Sequence, residues 1–65
     1  MPIVQVQMLE GRSDENIKQL IAGITETAVR TLDVKPEQVR VIVQTVPHQY
    51  WGVGGVTKDE IKSQL

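Results

Sequence analysis

The first residues of the chain alternate between apolar and polar side chains. Three apolar residues alternate with two glutamines: Val4, Val6 and Met8 against Gln5 and Gln7. A period of two is typical of a β-strand, because successive side chains of a strand point to opposite faces of its sheet. The alternation predicts a first strand over residues 2–9.

A helical period follows the first strand. Ser13 precedes two carboxylates, Asp14 and Glu15, as expected where a helix begins. Apolar residues then recur every three or four positions, at Ile17, Leu20, Ile21, Ile24, Ala28 and Leu32. This stripe predicts an amphipathic helix that starts at about Asp14 and lays one face on a sheet. The helix is expected to end near Asp33, because Pro36 disfavours helical geometry at the residue before it.

Alternation with a period of two returns over residues 39–46 and predicts a second strand. Val39, Val41 and Val43 fall on one face, and Arg40, Ile42 and Gln44 fall on the other. Strand, helix and strand with short connections predict a β-α-β unit with parallel strands and a right-handed crossover. We therefore expect a single α+β domain over residues 1–65, with the helix on one face of the sheet.

The last third of the chain is less regular. Residues 47–55 include the run Trp51-Gly52-Val53-Gly54-Gly55, which predicts a short hairpin or irregular arm that completes the sheet of a neighbouring copy. The polar tail, residues 57–65, predicts one helical turn that starts at Thr57. A two-stranded sheet with one helix leaves edges and a face open, so the chain is expected to self-associate.

Composition narrows the possible partners. Seven basic and eight acidic residues give a net charge of −1, which provides no field to attract nucleic acid or an anionic membrane. The chain has no cysteine and one histidine, so neither disulfides nor a structural zinc is expected to stabilise it. No stretch approaches the ~20 apolar residues of a membrane span, and no signal-peptide pattern opens the chain. We expect a cytoplasmic protein.

Pro2 follows the initiator methionine directly. Removal of Met1 would leave a secondary amine at the start of the chain. An α-amino group has a pKa near ~8, and burial or a cationic neighbour lowers that pKa further. Such an amine is neutral at physiological pH and accepts a proton, so Pro2 is a candidate general base once Met1 is removed.

Three other residues are candidates for chemistry, and each has a structural alternative. Arg12 follows the first strand, where an arginine is ordinarily a solvated surface residue. Arg40 interrupts an apolar strand. Its charge either discourages aggregation through the edge of the sheet, or its planar guanidinium binds a carboxylate with two hydrogen bonds. Trp51, the only Trp, either packs between subunits or forms an apolar wall beside a reactive group. His48 is interpreted as a solvated loop residue.

Four segments together resemble the 4-oxalocrotonate tautomerase family over nearly the whole chain. They are Pro2-Ile3-x-Gln5, Leu9-Glu10-Gly11-Arg12-Ser13-Asp14-Glu15, Val39-Arg40-Val41-Ile42 and Gly52-Val53-Gly54-Gly55. The resemblance implies the tautomerase β-α-β fold, assembled as a homohexamer. It also implies ketonisation of a dienol dicarboxylate such as 2-hydroxymuconate, an intermediate of aromatic degradation, without metal or cofactor.

The resemblance also implies a role for each matching residue. Pro2 is the general base that moves the proton. Arg12 binds the distal carboxylate, and Arg40 binds the 2-oxo acid end and stabilises the developing negative charge. Leu9 and Trp51 contact the substrate, with Trp51 in the place of the usual phenylalanine. These groups come from different subunits.

Two other interpretations stay open at this point. A superfamily relative uses the same proline to dehalogenate 3-chloroacrylate or to decarboxylate malonate semialdehyde, and Glu10 would then be a candidate for activating water. Alternatively, the chain is a non-catalytic oligomeric scaffold in which the proline only ends an edge strand.

Overall fold

The computed structural model describes residues 1–61 of the 65-residue chain. The strands are β1 (Ile3–Leu9), β2 (Arg40–Val46), β3 (Gly52–Val53) and β4 (Val56–Thr57), and the helix α1 spans Asp14–Leu32. Three short 3-10 turns, Pro36–Gln38, His48–Tyr50 and Lys58–Glu60, connect or follow these elements. No helix among the described residues is long and apolar enough to cross a membrane.

Strands β1 and β2 are parallel neighbours joined through α1, which confirms the predicted β-α-β unit. Their register runs from Ile3 opposite Arg40 to Leu9 opposite Val46. Residues alternate between exposed and half-buried along both strands, as the period of two predicted. The face that carries Val4 and Val41 is the more buried one, and Gln5 and Ile42 lie on the exposed face.

The two ends of α1 follow from local chemistry. Ser13 caps the first turn, and its Oγ accepts a hydrogen bond of 3.1 Å from the N–H of Asn16. At the other end Asp33 is left-handed, with φ of 58°, and its N–H donates to the carbonyl of Val29 at 3.0 Å. Both predicted helix ends are confirmed, and the left-handed residue closes the helix three positions before Pro36.

The protomer has almost no core of its own. Val39, 8% exposed, is the one buried hydrophobic residue among those described. The predicted apolar stripe of α1 is wider than the sheet beneath it, since Leu20 and Leu32 are 36% and 55% exposed. Together with Val4 they line an open apolar groove of about 600 Å³.

The dimensions of the protomer agree with this shortage of burial. The radius of gyration is 15.0 Å, against roughly 11 Å for a compact chain of this length. The accessible surface is 5107 Å², whereas a compact monomer of 7.3 kDa exposes about 4,200 Å². A single copy therefore leaves roughly 900 Å² more surface in water than its mass requires.

The predicted hairpin is present as a separate antiparallel pair, β3 and β4. Val53 lies opposite Val56, and the turn uses Gly54 and Gly55 at φ of 62° and 86°. Both glycines occupy the left-handed region that side chains disfavour. Strand β4 packs on the 3-10 turn His48–Tyr50, which contacts the turn Lys58–Glu60, and together these residues form an arm, residues 47–61. The predicted turn in the tail is observed at Lys58–Glu60, and the rest of the predicted tail, residues 62–65, lies outside the described residues.

Candidate active site at the ends of the parallel strands

Pro2 and Arg40 are neighbours at the amino ends of the two parallel strands. The N–H of Arg40 donates to the carbonyl of Pro2 at 3.0 Å, one step before Ile3 pairs with Arg40. Pro2 is half-buried, whereas Met1 is 76% exposed. The parallel register therefore fixes the carbonyl of Pro2 against the main chain of a cationic residue.

The guanidinium of Arg40 is held by main-chain oxygens. Its Nη1 donates to the carbonyl of Glu37 at 2.7 Å, with a longer contact of 3.5 Å to the carbonyl of Val39. Within residues 1–61 no carboxylate forms an ion pair with Arg40. A carbonyl oxygen does not neutralise the positive charge, and most of the five N–H donors stay available, so Arg40 is oriented and still able to bind an anion.

Leu9 and Arg12 lie at the opposite end of the sheet. Leu9 is half-buried at the end of β1, and the next residue, Glu10, donates its N–H to the carbonyl of Val46 at 3.0 Å. Arg12 is exposed, and its side chain makes no hydrogen bond or ion pair with any residue that the structure describes. Strand β1 is roughly 20 Å long at about 3.3 Å per residue. Within one copy of the chain, Arg12 and Pro2 therefore lie beyond opposite ends of this strand.

Trp51 also belongs to the carboxyl end, where the chain leaves β2 and enters the arm. It is half-buried, and its main chain is fixed on both sides. Its N–H donates to the carbonyl of His48 at 3.3 Å, and its carbonyl accepts from the N–H of Lys58 at 2.7 Å. The adjacent Tyr50 is 77% exposed. The arm thus presents two aromatic side chains that its own chain only partly covers.

His48 keeps a largely solvated side chain, and it also contacts Glu10. Its Nδ1 lies 3.6 Å from Oε2 of Glu10, and the two side chains are 42% and 51% exposed. The contact ties the start of the arm to the end of β1. No motif predicts it, because the two residues come together only through the parallel pairing of the strands.

Sequence reasoning also missed Gln38, which closes the turn that holds Arg40. The available signal was Pro36 at the first position of a short turn with a glutamine two residues later. The described residues contain no group of three or more side chains arranged to hold a metal ion.

The predicted site residues therefore form two groups. Pro2 and Arg40 are at the amino ends of the strands, and Leu9, Arg12 and Trp51 are at the carboxyl ends. A family model described as tautomerase enzyme matches residues 2–61. The chain belongs to the tautomerase family.

Two curated relatives agree with this assignment. This tautomerase is 48% identical over 62 residues to a probable tautomerase of Ralstonia nicotianae, covering 95% of this chain and 89% of the relative. It is 47% identical over 55 residues to a 2-hydroxymuconate tautomerase of Pseudomonas putida, covering 85% of this chain and 87% of the relative.

A solved structure agrees as well. A heterohexamer 4-oxalocrotonate tautomerase from Chloroflexus aurantiacus superimposes with a TM-score of 0.88 at 37% identity, covering 95% of this chain and all of that one. These likenesses confirm the resemblance found in the sequence and the predicted fold. The tautomerase is an isomerase, which sets the scaffold interpretation aside.

Proposed function

We propose that this tautomerase ketonises a dienol 2-oxo acid of the 2-hydroxymuconate type, with Pro2 as the general base. One observation carries the proposal. The N–H of Arg40 donates to the carbonyl of Pro2, and the guanidinium of Arg40 is oriented by main-chain carbonyls and has no acidic partner among residues 1–61. The likeness to the 2-hydroxymuconate tautomerase of Pseudomonas putida supports the substrate class.

The reaction moves one proton and needs no cofactor. The neutral amine of Pro2 accepts the proton of the enol hydroxyl, the oxygen becomes a carbonyl, and the electron pair shifts along the diene. The amine then returns the same proton to a carbon atom, so atoms and electrons balance. Met1 has to be removed first, because the nitrogen of Pro2 is an amide while Met1 is attached and an amide does not act as a base at neutral pH.

The two arginines supply the charge that a dianionic substrate requires. Arg40 binds the 2-oxo acid end and stabilises the negative charge that develops on its oxygen as the proton leaves. Arg12 binds the distal carboxylate. Leu9 and Trp51 provide apolar surface beside the diene, and the exclusion of water by Trp51 keeps the amine neutral.

The site is proposed to form between copies of the chain. An isologous pairing of two edge strands in antiparallel orientation brings the carboxyl end of one strand to the amino end of the other. Arg12 of one copy then lies near Pro2 of its neighbour, which the roughly 20 Å length of β1 prevents within one copy. The excess surface of the protomer and its open groove support self-association, with a homohexamer as the proposed assembly.

The decisive experiment compares two forms of the same protein. One form has Met1 removed, and the other retains it after expression with methionine aminopeptidase inhibited. Intact mass establishes which form is present. Ketonisation of 2-hydroxymuconate, followed by ultraviolet absorbance, is expected to be rapid only in the processed form.

Each of the other outcomes has a definite meaning. Equal turnover in both forms would remove Pro2 from the role of base. Absence of turnover in both forms, with the oligomer intact, would reject this substrate class. A screen of 3-haloacrylates and malonate semialdehyde would then test the dehalogenase and decarboxylase alternatives.

A further inference from the structure

The 3-10 turn before β2 is closed by a reciprocal pair of hydrogen bonds. The N–H of Lys35 donates to Oε1 of Gln38 at 2.9 Å, and the N–H of Gln38 donates to the carbonyl of Lys35 at 2.9 Å. The first bond is the glutamine half of a capping box, and the second joins main-chain groups, because a lysine side chain cannot accept a hydrogen bond. Gln38 thus contributes its own side chain to the closure of the turn.

The same turn supplies the acceptor for Arg40. The carbonyl of Glu37, between Pro36 and Gln38, accepts the short 2.7 Å hydrogen bond from Arg40 Nη1. On the far side, Val39 is the most deeply buried of residues 1–61 and donates its N–H to the carbonyl of Pro36 at 3.1 Å. The turn is therefore anchored at one end by burial and at the other end by the amide of Gln38.

We propose that Gln38 is a positioning residue, which acts on the substrate anion through Arg40. By closing the turn, Gln38 fixes the direction of the Glu37 carbonyl, and that carbonyl fixes the guanidinium. The inference rests on the proposed role of Arg40 in binding the substrate. The carbonyl of Glu37 orients the guanidinium of Arg40 without neutralising its charge, whereas a carboxylate paired with Arg40 would neutralise it.

Loss of the cap should leave the fold in place and loosen Arg40. One hydrogen bond typically contributes a factor of roughly three to ten to an equilibrium constant. In Gln38→Met, which keeps the side-chain length and removes the acceptor, kcat/KM for 2-hydroxymuconate is expected to fall by about three- to tenfold. The matched control is Gln49→Met, at an exposed glutamine in the 3-10 turn His48–Tyr50, which is expected to stay within about twofold of the parent.

A second variant removes the other partner of the same hydrogen bond. Lys35 has φ of −85° and ψ of 149°, which proline tolerates, so Lys35→Pro deletes the donor and keeps Gln38. The kcat/KM of this variant for 2-hydroxymuconate is expected to fall by a similar factor. If one of the two variants folds poorly, the other still tests the role of Gln38. Circular dichroism and the mass of the assembly check the folding of each variant.

A double-mutant cycle separates positioning through Arg40 from a general effect on structure. Gln38→Met in an Arg40→Ala background is expected to reduce kcat/KM by less than about twofold, because the group that it positions is already gone. The same loss in both backgrounds would overturn the inference. All variants are measured as processed protein without Met1.

The two proposals fail in different ways. If Arg40→Ala keeps the activity of the parent, the proposed role of Arg40 is wrong, and the role of Gln38 is wrong with it. If Arg40→Ala is impaired while Gln38→Met and Lys35→Pro both match the parent, the inference about Gln38 alone is wrong.

Discussion

Arg12 and Arg40 differ in how the fold holds their guanidinium groups. Arg40 is fixed by the carbonyl of Glu37 within its own chain, whereas Arg12 is exposed and makes no side-chain hydrogen bond or ion pair within residues 1–61. An arginine that is already oriented loses less entropy when it binds an anion. The difference agrees with the proposed roles, in which Arg40 stabilises the charge that develops during the reaction and Arg12 binds an end of the substrate that does not react.

This division of roles predicts a dependence of the Arg12 effect on the substrate. Arg12→Ala is expected to lower kcat/KM for 2-hydroxymuconate by roughly 10- to 100-fold, since hydrogen bonds to charged groups contribute about 1.5–3 kcal/mol. For 2-hydroxy-2,4-pentadienoate, which lacks the distal carboxylate, the same variant is expected to stay within about threefold of the parent. Steady-state kinetics with both substrates make the comparison.

Arg30→Ala is the control for this prediction, since Arg30 is an exposed arginine in the last turn of α1. This variant is expected to keep the parent kcat/KM for both substrates. An equal fall in kcat/KM for the two substrates in Arg12→Ala would show that Arg12 does not bind the distal carboxylate. Loss of the assembly in Arg12→Ala would instead assign the residue a structural role.

At the scale of the elements, local chemistry in the sequence was enough to locate β1, α1 and β2. Ser13 with its two following carboxylates located the start of α1, and alternation located both strands to within a residue. The contacts of Glu10 with His48 and of Arg40 with Glu37 were not predictable in the same way. The first joins residues 38 positions apart, and the second uses a main-chain oxygen that no side-chain pattern marks.

The cap at Ser13 gives a prediction that belongs to the helix alone. Ser13→Ala removes the Oγ that accepts from Asn16, and it is expected to lower the free energy of unfolding by about 1 kcal/mol. Urea unfolding measured at one fixed protein concentration gives this value, because the stability of an oligomer depends on concentration. Ser13→Asp keeps an acceptor and is expected to restore most of the loss. If the free energy of unfolding falls as much in Ser13→Asp as in Ser13→Ala, the side-chain cap does not stabilise the start of α1.

The whole molecule is organised around surface that one copy cannot bury. Val39 is the single buried hydrophobic residue among those described, and Leu20, Leu32 and Val4 line an open groove at one edge of α1. The excess of roughly 900 Å² over a compact monomer is similar to the ~800 Å² that each partner contributes to a standard interface. Stability and catalysis are therefore expected to depend on the same contacts between copies.

Leu20→Lys tests this dependence at a leucine that lines the groove. A neighbour that covers the groove would bury a charge in place of a leucine, so association is expected to weaken by more than about a hundredfold, or roughly 3 kcal/mol. Light scattering should then detect smaller species, and ketonisation should fall with them, because the active site is proposed to form between copies of the chain. Ala22→Lys adds the same charge at an exposed position of α1 outside the groove, and it is expected to keep both the assembly and the activity. A Leu20→Lys protein that dissociates to single copies and still turns over 2-hydroxymuconate at the parent rate would mean that each copy carries a complete site.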